Sequence, residues 1–135
     1  MSKMVSLVVV VAVLAAVVVY FVFSQRNNAV IGTLQLISPS EYRTQYVQVG
    51  QPHLLLDVRT PAEFSGGHIP GAVNIALQNL PQRLAELPKD RPLVIYCRSG
   101  NRSRQAQQYL AQAGFTNTYD LGGIIDWQAQ GLPVQ

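Results

Sequence analysis

Cys97 is the single cysteine of the chain, and it stands in the run Tyr96-Cys97-Arg98-Ser99-Gly100-Asn101-Arg102-Ser103. A thiolate is the nucleophilic form of cysteine, and it is favoured by nearby cations and by a helix amino terminus. Both are foreshadowed here. Arg98, Arg102 and Arg104 follow within seven residues, and no acid occurs between Asp90 and Asp120. Gly100 and Asn101 tolerate the unusual backbone angles of a tight cradle. A lone cysteine by itself is most often a small buried hydrophobe. What points to chemistry is the context, an apolar strand running into Cys97, a glycine loop, and then a helical stretch from Ser103 to Ala113. Helix amino termini offer unpaired N–H groups and a positive dipole end, and open α/β sheets bind ligands at the carboxyl ends of their strands.

The elements needed to hold such a loop can be read around it. Ser38-Pro39-Ser40-Glu41 and Thr60-Pro61-Ala62-Glu63 each have the capping-box pattern with proline at the first helical position. Each predicts a short helix, the first reaching about Tyr46. Leu54–Val58 is apolar apart from Asp57 and reads as a buried parallel strand, as does Pro92–Tyr96. Gly66–Gly71 is a turn, Ala72–Ile75 a short strand, and Pro81–Leu87 a helix closed by Pro88. Gly114 stops the helix after the loop. Thr118–Leu121 is a last strand broken by Gly122-Gly123, and Ile124–Gln130 a final helix. Strands alternating with helices predict parallel βαβ units.

Four segments in order, covering about residues 38–133, carry a family resemblance. They are Leu56-Asp57-Val58-Arg59 with Pro61-x-Glu63-Phe64; Gly67-His68-Ile69-Pro70-Gly71-Ala72-x-Asn74; Cys97 through Ser103; and Leu121-Gly122-Gly123-Ile124-x-x-Trp127. With them the chain resembles the rhodanese family. The resemblance implies a five-stranded parallel sheet with helices on both faces. It also implies a sulfurtransferase that carries sulfur as a persulfide on Cys97. A small sulfur-donor anion such as thiosulfate would load it, and cyanide, a thiol or a partner protein's cysteine would take the sulfur away. Residues 98 to 102 (Arg98, Ser99, Gly100, Asn101, Arg102) would form the persulfide loop, and no metal or organic cofactor is implied. Asp57 and Arg59 would organise structure near the site, and His68 would lock a turn. Trp127 reads as core, and His53 receives no role.

Two other classes stay in view. Phosphatases with a comparable loop place arginine after five intervening residues, whereas Arg102 follows Cys97 after four and Arg104 after six. Modules of this fold that only bind partners often lack the cysteine, which this chain keeps.

The rest of the chain sets the surroundings. Hydrophobic residues make up 48% and charged residues only 13% of the 135, and the skew lies at the amino end. Met4–Phe23 contains no charge, and a helix of about 20 residues crosses the roughly 30 Å apolar core of a bilayer. The run exceeds the apolar part of a signal peptide, and Val22-Phe23-Ser24 is a poor cleavage site. Residues 4–23 are therefore read as a transmembrane helix, 24–37 as a linker and 38–133 as the domain. The expectation is a single-pass protein of a bacterial inner membrane. Lys3 and Arg26 flank the span, and the positive-inside rule leans towards a domain outside the cytoplasm. Beyond the span, nine Lys and Arg face seven Asp and Glu, without the basic tract that nucleic-acid binding requires.

Overall fold

The computed structural model describes residues 12–20 and 34–135. Residues 12–20 are helical and exposed. The remainder of the 4–23 segment, and residues 24–33 of the stretch read as a linker, lie outside the described residues. Among the described residues no helix is long and apolar enough to cross a membrane. The chain divides into two units, Met1–Gly32 and Thr33–Gln135, and the second holds the sheet.

Five strands form that sheet: β1 (Gln35–Leu36), β2 (Leu54–Asp57), β3 (Val73–Asn74), β4 (Leu93–Cys97) and β5 (Thr118–Gly123). Their order is β1-β5-β4-β2-β3, and every pair is parallel. β1 falls inside the stretch read as a linker, where a two-residue edge strand leaves no alternation to detect. The buried run of β4 occupies the centre, as its unbroken apolar sequence requires.

Side chains alternate across a strand, and this divides the core in two. Leu93, Ile95 and Cys97 of β4 pack with Leu56, Ala106 and Leu110 on one face. Val94 and Tyr96 pack with Tyr42, Ile69, Ile124 and Trp127 on the other. Helix α3 (Asn101–Gln112) covers the first face through Ala106 and Leu110. Helices α1 (Pro39–Tyr42) and α4 (Ile124–Ala129) cover the second. The expected sheet with helices on both faces is the observed one. Trp127 is core, and its Nε1–H donates to Pro133 O at 2.9 Å.

Both capping boxes form. Ser38 and Glu41 start α1, and Thr60 and Glu63 start α2 (Pro61–Ser65), each with proline in the first turn. α1 runs directly into a π-helical turn over Arg43–Gln48. Two readings need correction. The stretch read as a helix over Pro81–Leu87 is a pair of 3₁₀ turns, Leu77–Gln82 and Leu84–Glu86. Pro81 falls inside the first of these turns rather than at a helix start, where its missing N–H cannot extend a longer helix. Gly122-Gly123 does not end β5; the strand continues through both glycines. The pairing with β4 slips there, from Ile95 opposite Asp120 to Tyr96 opposite Gly122. Leu121 is the extra residue of a bulge, and Gly122 supplies its φ of +82°.

Candidate active site

β4 delivers Cys97 to the carboxyl edge of the sheet, where its side chain is buried on the α3 face. The chain then turns back within three residues. Gly100, at φ +92°, makes that turn and serves as the N-cap of α3. Its N–H donates to Cys97 Sγ at 3.1 Å. The first-turn N–H groups of any helix have no intrahelical partner, and no side chain caps those of α3. The sulfur thus lies at the open positive end of a twelve-residue helix.

Ser103 is fully buried beneath the loop. Its Oγ lies 3.7 Å from Cys97 Sγ, the thiol donating, and in turn donates to Gly100 O at 3.1 Å. Behind the loop stands Gly123 of β5. A Cβ there would come within 2.5 Å of Arg98 O and 2.8 Å of Ser99 Cα, so only glycine fits beside this backbone. Ile125 N donates to Arg98 O at 3.3 Å and ties the same loop to α4.

The arginines separate into different environments. Arg98 and Arg104 are exposed, as are Ser99 and Asn101. Arg102 is half-buried and forms a two-pronged ion pair with Glu63, Nη1 to Oε2 at 2.7 Å and Nη2 to Oε1 at 2.8 Å. Glu63 also accepts from Thr60 N and Oγ1, so one carboxylate closes the start of α2 and holds the loop. The Arg102 hydrogen bonds chiefly hold the Glu63 carboxyl down at about 2, outweighing its partial burial.

Asp57 and Arg59 are both buried and pair with each other, Nη2 to Oδ2 at 2.6 Å. Arg59 reaches on to Gly67 O at 2.8 Å and lies 5.6 Å from the Tyr96 ring centre. Tyr96 Oη accepts from Ile69 N at 3.1 Å; burial, then the nearby Asp57, raise its phenol above the ordinary range. The pair therefore ties the end of β2 to the 67–71 turn and to the residue preceding Cys97. His68 sits in that turn, stacked on Phe64 at 3.7 Å with Nδ1 at 3.0 Å from Phe64 O. It exchanges both backbone hydrogen bonds with Gln135. These contacts fasten the turn, and none of them involves Cys97. His53 bridges Tyr42 Oη and Gln51 O.

Sequence reasoning found the loop but not all its supports. In sequence Glu63 is a capping residue and part of the family motif; its role in holding the loop depends on Arg102, 39 residues away. Gly122 and Gly123 were read as strand breakers, although the Gly-Gly pair was itself the signal for a close backbone approach. Ser103 stood in the motif without an assigned role. Among the described residues no cluster of His, Cys, Asp and Glu could hold a metal ion.

Comparison with known proteins agrees with this architecture. Residues 38–130 match the model of the rhodanese-like domain. A protein named sulfurtransferase from Allochromatium vinosum is 48% identical over 96 residues, covering 70% of this chain and 90% of that protein. The thiosulfate sulfurtransferase GlpE of Shewanella oneidensis is 40% identical over 74 residues, covering 54% of this chain and 73% of that one. The crystal structure of a rhodanese-related protein from Thermoplasma volcanium superposes with a TM-score of 0.66 at 31% identity, covering 75% of this chain and 97% of that one. With the loop, the five-stranded sheet and these matches together, the chain belongs to the family of rhodanese-like domains.

Proposed function

We propose that the protein is a sulfurtransferase that moves sulfane sulfur through a persulfide on Cys97. The observation that carries this reading is the Cys97 sulfur at the uncapped amino terminus of α3, 3.1 Å from the Gly100 N–H. An anion there is stabilised by N–H groups already in place, as in an oxyanion hole. With thiosulfate as donor, the Cys97 thiolate attacks the outer sulfur. The S–S bond to the sulfonate breaks, and sulfite leaves with the electron pair. The product is Cys97–S–S⁻, and the charge of minus three is unchanged. A thiol or cyanide then attacks the outer sulfur and returns the thiolate.

Each loop residue has a part in this reading. Gly100 supplies the N–H and the turn. Ser99, Asn101 and Arg102 supply further backbone to the cradle, and Arg98 draws anions inward. Ser103 can turn its hydroxyl towards the sulfur once the thiol loses its proton. Asp57, Arg59 and His68 hold the surrounding turns and touch no reacting atom. The chemistry needs no metal or organic cofactor. Residues 4–23 tether the domain to a bacterial inner membrane, with the domain on the extracytoplasmic side and the acceptor a thiol or protein cysteine within reach. Their uncharged length supports the tether, and Lys3 at the amino end supports the side.

Intact-protein mass spectrometry before and after thiosulfate tests the reading. We expect a gain of one sulfur atom, reversed by cyanide and absent in Cys97→Ser. No gain from several sulfane donors on folded protein would overturn it.

A further inference from the structure

The loop's arginines suggest a site built for strongly anionic donors, but the structure spends one of them. Arg102 donates both Nη groups to Glu63, at 2.7 and 2.8 Å. The two side chains are 32% and 30% exposed, so the pair stands at the rim of the loop. The charges behind the loop cancel in the same way, since Asp57 and Arg59 neutralise each other in a buried pair. On the loop itself only Arg98 keeps an unpaired guanidinium among the described residues, and it is exposed.

We infer that Glu63 is a specificity-determining residue: by neutralising Arg102 it lowers the loop's preference for sulfane-sulfur donors of two negative charges over donors of one. This rests on the sulfurtransferase reading and refines its substrate class. The α3 amino terminus and its N–H groups amount to about half a positive charge, enough to favour a single anion. A second negative charge on the donor would be met best by a guanidinium at the loop, and with Arg102 committed to Glu63 only the exposed Arg98 is left for it there. Glu63 acts through Arg102 and the loop, and it does not touch the reacting sulfur.

Thiosulfate and methanethiosulfonate isolate the effect, because one sulfonate oxygen is replaced by a methyl group and one charge is removed. Attack on the second donor releases methanesulfinate and leaves the same Cys97–S–S⁻, with total charge minus two before and after. The readout is kcat/KM for loading the full chain with each donor, expressed as the ratio of thiosulfate to methanethiosulfonate. Glu63→Gln should raise this ratio roughly twofold to fivefold, the size of one partly exposed charge interaction. Arg102→Gln leaves Glu63 unpaired and should lower it. Glu63→Gln with Arg102→Gln restores the charge balance and should return it towards the wild-type value.

A general loosening of the loop would slow both donors alike and leave the ratio fixed. Unchanged ratios in both single variants, with folding checked by circular dichroism, would overturn the inference. Should Glu63→Gln fail to fold, the sign of the change in Arg102→Gln decides. A wild-type protein that takes sulfur from neither donor would instead sink the sulfurtransferase reading, a distinct result.

Discussion

At the scale of single residues, the site rests on groups that cannot be removed one at a time. Asp57 is fully buried and Arg59 nearly so, and Asp57 accepts from both the backbone and the side chain of Arg59. Asp57→Ala would leave a buried guanidinium without its counter-charge, so we expect a loss of about 3–5 kcal/mol in urea unfolding, as for other broken buried pairs. The cost should appear whether or not Cys97 is present, which separates support from chemistry. Glu63 predicts a pH dependence of known sign. Its carboxyl is held at about 2 against an ordinary 4.5. A depressed carboxyl contributes stability above its unfolded value and loses it as pH falls through the folded one. The melting temperature of wild type should therefore fall more steeply than that of Glu63→Gln between pH 4.5 and 2. Cys97 was legible in sequence because strand, loop and helix flank it directly. The Glu63–Arg102 pair was not, since no local pattern states which arginine a capping glutamate will meet 39 residues on.

At the scale of elements, the persulfide loop is shaped as much by β5 as by its own sequence. Gly123 presses on Arg98 and Ser99, so Gly123→Ala must displace either the strand or the loop. We expect this variant to remain folded but to load sulfur at least tenfold more slowly, since small misplacements at a reacting centre are costly. Mass spectrometry of the loading time course measures it. Gly100→Ala meets only the Gly122 backbone at an ordinary 3.6 Å but must adopt φ +92°, at about 1–2 kcal/mol of stability. Sequence captured elements defined by strong local signals: the two capping boxes, the apolar strands and the helix closed by Gly114. It missed those set by tertiary contact. The bulge at Leu121 exists because β5 must pair with β4 and still clear the loop, and the 3₁₀ turns exist because Pro81 interrupts a helical pattern.

For the whole molecule, the unbroken apolar run of β4 marks a strand buried on both faces, and the family resemblance implies the helices that cover them. β1 was not legible in sequence, because its two residues gain strand identity only by pairing with Tyr119 and Asp120 of β5. The proposed tether makes its own prediction at this scale. Alkaline carbonate washing should leave the full chain with membranes and release a variant lacking residues 1–24. Recovery of the full chain in the wash would remove the membrane from the account.

The Cys97 residue is only 1% exposed, yet it is the atom on which turnover would depend. Concealment of that kind makes the resting protein chemically quiet, open to a small anion but closed to a bulky reagent. Loading changes this, because the added sulfur extends the reactive end by about 2 Å. The protein would then be armed by its own cargo. A bulky maleimide should label thiosulfate-treated protein faster than untreated protein, with the label removed by reductant together with the extra sulfur. Sulfur transfer would be visible from outside only while the sulfur is aboard, which is when an acceptor needs to find it.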